Sequence, residues 1–191
     1  GCASNVGADD GAADVDSGHG THVLGSVLGN GVASFPIGTI KGTAYEATPT
    51  FQAVEQWTTW TESCGQYADG YYLTGLPLDL TPFFQEAYNW GSRIHSNSWG
   101  SPEYGKYTTD SQSVDEFVWY HPDMLILFSA GNAGTDSQKP QDGYVDEDSL
   151  DAPGTAKNAL TVGASDNLRD SGGYNPGGTC YTWGTCWPSD F

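Results

Sequence analysis

MLILFSAGNAG, residues 124–134, decides the architecture. Met124 to Phe128 form an unbroken apolar run, too short for a helix and without alternation, so they read as a strand buried on both faces. Such strands belong to parallel sheets covered by helices on both sides. The run closes on small and polar residues, Ser129-Ala130-Gly131-Asn132. In open parallel sheets the working groups gather beyond the carboxyl ends of the strands, so this tail is the first place to look for chemistry.

Working outward, SQSVDEFVWYH (111–121) reads as a helix with Val114, Phe117 and Val118 on one face. RIHSNSWG (93–100) reads as a second strand with a polar, glycine-bearing tail, and ALTVGA (159–164) as a third. LTPFFQEAYNWG (80–91) is a helix with Thr81 as its cap, Pro82 at the first helical position and Gly91 as terminator. TFQAVEQW (50–57) alternates as a strand does, whereas 58–79, rich in Gly, Thr, Tyr and Trp, reads as a surface insertion carrying Cys64. Residues 1–18, with Asp9, Asp10, Asp14 and Asp16, read as a loop. Val23, Leu24, Val27 and Leu28 recur at helical spacing after His19, and Gly29-Asn30-Gly31 supplies the stop. The expectation is one α/β domain, a doubly wound parallel sheet with helices on both faces, without internal repeats.

Charge narrows the partners. Six Lys and Arg against 24 Asp and Glu leave a formal net charge of -18, which excludes nucleic acid, because phosphate binding needs clustered cations. Dense carboxylate suits a protein in high salt, as in a halophile, or one that loads calcium. Cys2, Cys64, Cys180 and Cys186 allow two disulfides in an oxidising compartment, in any of three pairings. No apolar run is long enough to cross a membrane and no signal peptide is present, so the reading is a secreted, extracellular protein already processed.

GHGTHVLGSVLGNG (18–31) places His19 between Gly18 and Gly20, where backbone or substrate can approach its ring. Taken locally, His19 and His22 read equally as a general base with a neighbour, a metal pair, or structural histidines at a helix start. His22 fits structural packing or hydrogen bonding best, and His95 and His121 have no motif around them. Gly131-Asn132 reads locally as a turn, and Trp99 equally as a core anchor or part of a binding strand.

In order along the chain, HGTHV (19–23), NSWG (97–100), SAGN (129–132) and APGTAKNALTVGA (152–164) resemble the motifs of the subtilisin-like serine proteases, the subtilases. The match runs from about residue 17 to residue 170, leaving 58–79 as an insertion and 171–191 as a divergent cysteine-containing tail of a partial catalytic domain, 1–191. GSVLGNG, YTTDS and PGTAKNALTVGASDNLR are most similar to the alkaline subtilases that carry an appended β-sandwich. The resemblance implies a serine endopeptidase acting through a Ser-His-Asp triad on an extended peptide or protein substrate. His19 is then the general base and Asn132 the oxyanion donor. Ser98, Trp99 and Gly100 pair with the substrate backbone, Ser129, Ala130 and Gly131 form the facing wall, and Asp151 lies at the pocket floor, where a carboxylate favours Lys or Arg; taken locally, Asp151 reads as one more solvated loop carboxylate of an acidic chain. No cofactor is implied for the chemistry; structural calcium is, with 9–16 and 142–151 as acidic loops able to offer oxygen ligands.

Two triad members have no counterpart here. No apolar strand ending in aspartate precedes His19, and Gly-Thr-Ser, which would carry the nucleophile, does not occur. The expectation is a central fragment, inactive alone and completed by the missing flanking segments of the same domain. The alternatives are a non-catalytic subtilase-like module that binds peptides, or a surface structural protein of a salt-loving organism.

Overall fold

The computed structural model describes residues 3–7, 18–32, 39–61, 64–134 and 144–164. In chain order these hold β1 (Ala3–Val6), α1 (His19–Leu28), β2 (Gln56–Thr61), β3 (Gly70–Tyr72), α2 (Thr81–Asn89), β4 (Ile94–Asn97), α3 (Thr109–Tyr120), β5 (Leu125–Ser129) and β6 (Leu160–Val162). They fall into two units, Gly1–Ser98 and Trp99–Phe191.

In the first unit β1, β2 and β3 form an antiparallel sheet, with Ala3 opposite Thr61 and Trp57 opposite Tyr71. Residues 3–6 were expected to be loop; pairing with β2 gives even this small, polar stretch a ladder to join. The strand expected at 50–57 lies further on, where aromatic and β-branched residues continue through Thr61. Residue Gln52 instead turns to α2, its amide nitrogen donating to the Phe83 carbonyl at 3.1 Å and to Glu86 at 3.2 Å. Trp57 meets Tyr71 edge to face and Trp60 meets Tyr72 likewise, one pair on each face of the sheet. Cys64 is buried and disulfide-bonded; Cys2, Cys180 and Cys186 lie outside the described residues. The start of α2 corrects the assignment of Thr81 as cap: Thr81 is already helical, and the Asp79 carboxylate accepts its N–H at 2.9 Å. That hydrogen bond holds the Asp79 pKa below the ordinary carboxylate value.

In the second unit β5 and β6 run parallel, with Leu127 opposite Leu160 and Ser129 opposite Val162. Helix α3 packs against β5; Val114, Phe117, Ile126 and Phe128 are buried. Each phenylalanine stabilises the unit by about 1.5–3 kcal/mol through burial alone. Leu160 and Val162, on the other face of this pair, are about half exposed. α3 is capped by Thr108, whose side chain accepts the Ser111 N–H while Ser111 answers to the Thr108 N–H, a reciprocal box carried by the TTDS sequence. At its other end His121 stacks on Phe117 at 4.1 Å and donates from Nδ1 to the Phe117 carbonyl. This histidine, which no motif singled out, closes the helix.

Candidate functional site

Three backbone segments of the second unit meet beyond the ends of its strands. The tail of β5 continues as Ala130, whose N–H donates to the Val162 carbonyl at 2.9 Å. The Ala130 carbonyl accepts the Asp151 N–H at 3.1 Å. Ser101 and Ala152 exchange both backbone hydrogen bonds, at 2.8 and 3.0 Å, as an antiparallel bridge. The residues between these anchors are thereby set side by side: Trp99 and Gly100, Ala130 and Gly131, and Asp151.

Glycine is required at one of them and makes room at another. Gly131 has φ +97°, in the left-handed region, and a Cβ there would run into the Asp151 carboxylate. A Cβ on Gly100 would stand 3.0 Å from the Asp151 Cβ and 3.2 Å from the Ala152 carbonyl oxygen. The Asp151 side chain therefore lies between two bare backbones. Burial pushes its pKa up, and among the described residues nothing donates to its carboxylate. Trp99 stands edge to face on Phe128 with ring centres 5.2 Å apart, so it is an anchor of this strand end against the core. Ser129 is half-buried, and Asn132, just past Gly131, is exposed.

The remaining expected residues belong to the first unit. His19 opens α1 directly after Gly18, which takes φ 69°, and its side chain is exposed. No residue of α1 is buried, His22 included, so the packing role expected of His22 is not found. Ser98 is half-buried, next to the buried Asn97. His95, for which the sequence suggested no role, is packed between Phe83 and Phe84 and bonds Gln52 at 2.9 Å. Among the described residues no three His, Cys, Asp or Glu side chains are grouped to hold a metal ion. Residues 9–16 lie outside the description. No described helix is long and apolar enough to cross a membrane.

What the sequence reading missed is the support behind Asp151. Asp115 of α3 accepts the Asn158 N–H at 2.6 Å and the Tyr107 hydroxyl at 2.8 Å, and Ser111 bonds Thr155 at 2.7 Å. The only signal was the spacing of Ser111 and Asp115, four residues apart and so on one helix face.

The model of the subtilase family matches residues 2–188. Among curated proteins the chain is 34% identical over 163 residues to the serine protease/ABC transporter B family protein tagD of Dictyostelium discoideum, covering 83% of this chain and 8% of that protein. It is 33% identical over 156 residues to tagB of the same organism, covering 79% and 7%. To the subtilisin-like protease SBT4.14 of Arabidopsis thaliana it is 33% identical over 126 residues, 65% of this chain and 15% of that protein. The chain thus spans less than a tenth of the length of these Dictyostelium relatives.

Proposed function

From a chain that belongs to the subtilase family, with its α/β fold, we propose a part in a secreted serine endopeptidase, with a binding seat for a basic side chain built around Asp151. The observation that carries the reading is the Asp151 carboxylate lying between Gly100 and Gly131, partly desolvated and, among the described residues, without a donor. An ammonium or guanidinium entering between those backbones meets a carboxylate already stripped of part of its water, where a charge-assisted bond is strongest. Gly100 and Gly131 then serve as walls, and the backbone of Ser98 to Gly100 pairs with the extended peptide through main-chain bonds that demand no particular sequence.

In the reaction, His19 accepts the proton of a serine hydroxyl as it attacks the carbonyl, then returns it to the leaving amine. The Asn132 amide donates to the oxyanion; loss of the equivalent donor in subtilisin, of the same family, costs about 3–4 kcal/mol. The 191 residues contain no Gly-Thr-Ser, so this reading assigns the nucleophile and the aspartate behind His19 to segments outside them. The present chain alone then hydrolyses nothing. The disulfide-bonded Cys64 supports an oxidising, extracellular setting.

The test is cleavage by the intact source protein of paired peptides with arginine or leucine before the scissile bond. Arginine is expected to be favoured by about tenfold or more, and Asp151→Asn to erase the preference. Equal rates, or a leucine preference, overturn the seat. Failure of the intact protein to react with a fluorophosphonate would favour the non-catalytic peptide-binding reading, which the missing Gly-Thr-Ser keeps open.

A further inference from the structure

The turn that follows Asp151 is held far more heavily than packing requires. Ala152, Pro153, Gly154 and Ala156 are all buried, and a Cβ on Gly154 would stand 2.9 Å from the Asp151 carbonyl oxygen and 3.2 Å from that of Ser129. Two side chains of α3 then reach across to it. The Thr155 hydroxyl donates to the Lys106 carbonyl at 2.9 Å. A hydroxyl has one proton, so the 2.7 Å bond between Ser111 and Thr155 has Ser111 as its donor. Ser111 can then only accept from Thr108, which orders one chain of hydroxyls, Thr108 to Ser111 to Thr155 to the Lys106 carbonyl. One helical turn on, Asp115 uses both carboxylate oxygens, on Asn158 N–H and Tyr107 hydroxyl, while its own carbonyl accepts the Asn158 amide at 3.2 Å.

We propose that Asp115 and Ser111 are positioning residues for the Asp151 seat: they fix residues 152–158 against α3 so that the carboxylate at the head of that turn stays between Gly100 and Gly131. Neither side chain touches a bound substrate; each acts through Asp151. The inference rests on the reading of Asp151 as a cation seat. Its geometric content is that the turn is fastened at both ends, by backbone bonds to Ala130 and Ser101 at the start and by Asp115 at Asn158. Releasing the second fastening lets the first residue of the turn move by the fraction of an ångström that decides whether a carboxylate faces a cleft or water.

The experiment measures binding of benzamidinium and of its neutral counterpart benzamide to the full 191-residue chain by calorimetry. Wild type is expected to prefer the cation by about tenfold or more, Asp151→Asn to abolish the preference, and Asp115→Ala to cut it at least about fivefold with benzamide affinity unchanged. A merely loosened fold weakens both ligands together. Glu116→Gln removes an exposed charge from the same helix without touching the turn, and should leave the preference as it is; if it lowers the preference as much as Asp115→Ala, net charge is the cause and the inference falls. A preference lost in Asp151→Asn but kept in Asp115→Ala overturns the positioning role and leaves the seat standing. No preference in wild type overturns the seat, and the positioning role with it. If Asp115→Ala fails to fold by circular dichroism, Thr155→Val, which cuts the hydroxyl chain and spares Asp115, is read against the same outcomes.

Discussion

In the first unit the ring of His95 stands 5.3 Å from that of Phe83 and 5.1 Å from that of Phe84, and burial pulls its pKa down to about 4, with Asn97 opposing. In the second, Asp151 leans on the backbones of Gly100 and Gly131, and burial pushes its pKa up. Desolvation drives both groups toward their neutral forms. What they are left with differs. The Gln52 amide nitrogen donates to Phe83 and Glu86, so its oxygen faces the histidine and Nε2 carries the proton of the 2.9 Å bond. Nε2 of His95 is thus satisfied in a neutral ring, while its buried Nδ1 has no partner among the described residues; nothing among those residues donates to the Asp151 carboxylate either. A neutral ring wedged against two phenylalanines explains itself as structure, and a carboxylate without a donor beside two closely approaching glycine backbones points to a ligand.

Acid should break the comparison on the first side, with the largest effect. Between pH 6.5 and about 4 the unfolded chain takes up a proton that folded His95 refuses, so stability is fully present above that window and is lost through it. By pH 4 the loss amounts to about 3 kcal/mol. Denaturant unfolding of His95→Phe, which does not titrate, should be flatter across the same range. Equal pH dependence in the two proteins would mean that His95 is solvated.

The next effect belongs to the glycines. Gly131 and Gly18 both take positive φ, +97° and +69°, but a Cβ on Gly18 meets open space and one on Gly131 meets Asp151. Gly18→Ala should therefore destabilise by about 1 kcal/mol, the conformational cost alone, and Gly131→Ala by about 2 kcal/mol or more. Adding Asp151→Gly to Gly131→Ala should recover the excess, leaving the two sites alike. Equal losses from the two single substitutions would show that Asp151 does not lean on Gly131.

How far the sequence carried follows from what each signal depends on. The bounds of α1, α3 and β5 were legible within two residues, because the spacing of Val114 and Phe117 and the unbroken run from Met124 to Phe128 are local facts. Residues 3–6 were not, since what makes a strand of Ala-Ser-Asn-Val is a partner more than fifty residues away. The cap of α2 was misplaced by one residue: the N-cap is Leu80, whose side chain offers no hydrogen bond, and the Asp79 carboxylate just before it takes the Thr81 N–H. Gly100, Gly131 and Asp151 were named through a resemblance that depends on motif order; that they lie together follows from backbone bonds linking 101 to 152 and 130 to 151. Residue Asp115 gave no signal beyond its helical spacing from Ser111, because its partners, Tyr107 and Asn158, lie on segments without periodicity.

The smallest effect sharpens the comparison most. Because the folded pKa of Asp151 is raised, its ionised form opposes folding: stability is greatest below the ordinary carboxylate value of 3.8 and falls as pH rises through the folded pKa. Asp151→Asn has the same shape and no proton to lose, so the two proteins should melt together near pH 3 and separate above it, the variant being the more stable at pH 7 by a margin that solvent screening keeps small. Asp79 supplies the opposite sign within the same chain. Its pKa is lowered by the Thr81 N–H, so its contribution is present above 3.8 and disappears as pH falls, and Asp79→Asn should be the less stable protein at neutral pH. A carboxylate whose removal stabilises the fold is held in place against the fold's own preference, as binding groups are. If Asp151→Asn gains nothing at pH 7, the carboxylate is adequately hydrated, and the contrast with His95 is one of position rather than of purpose.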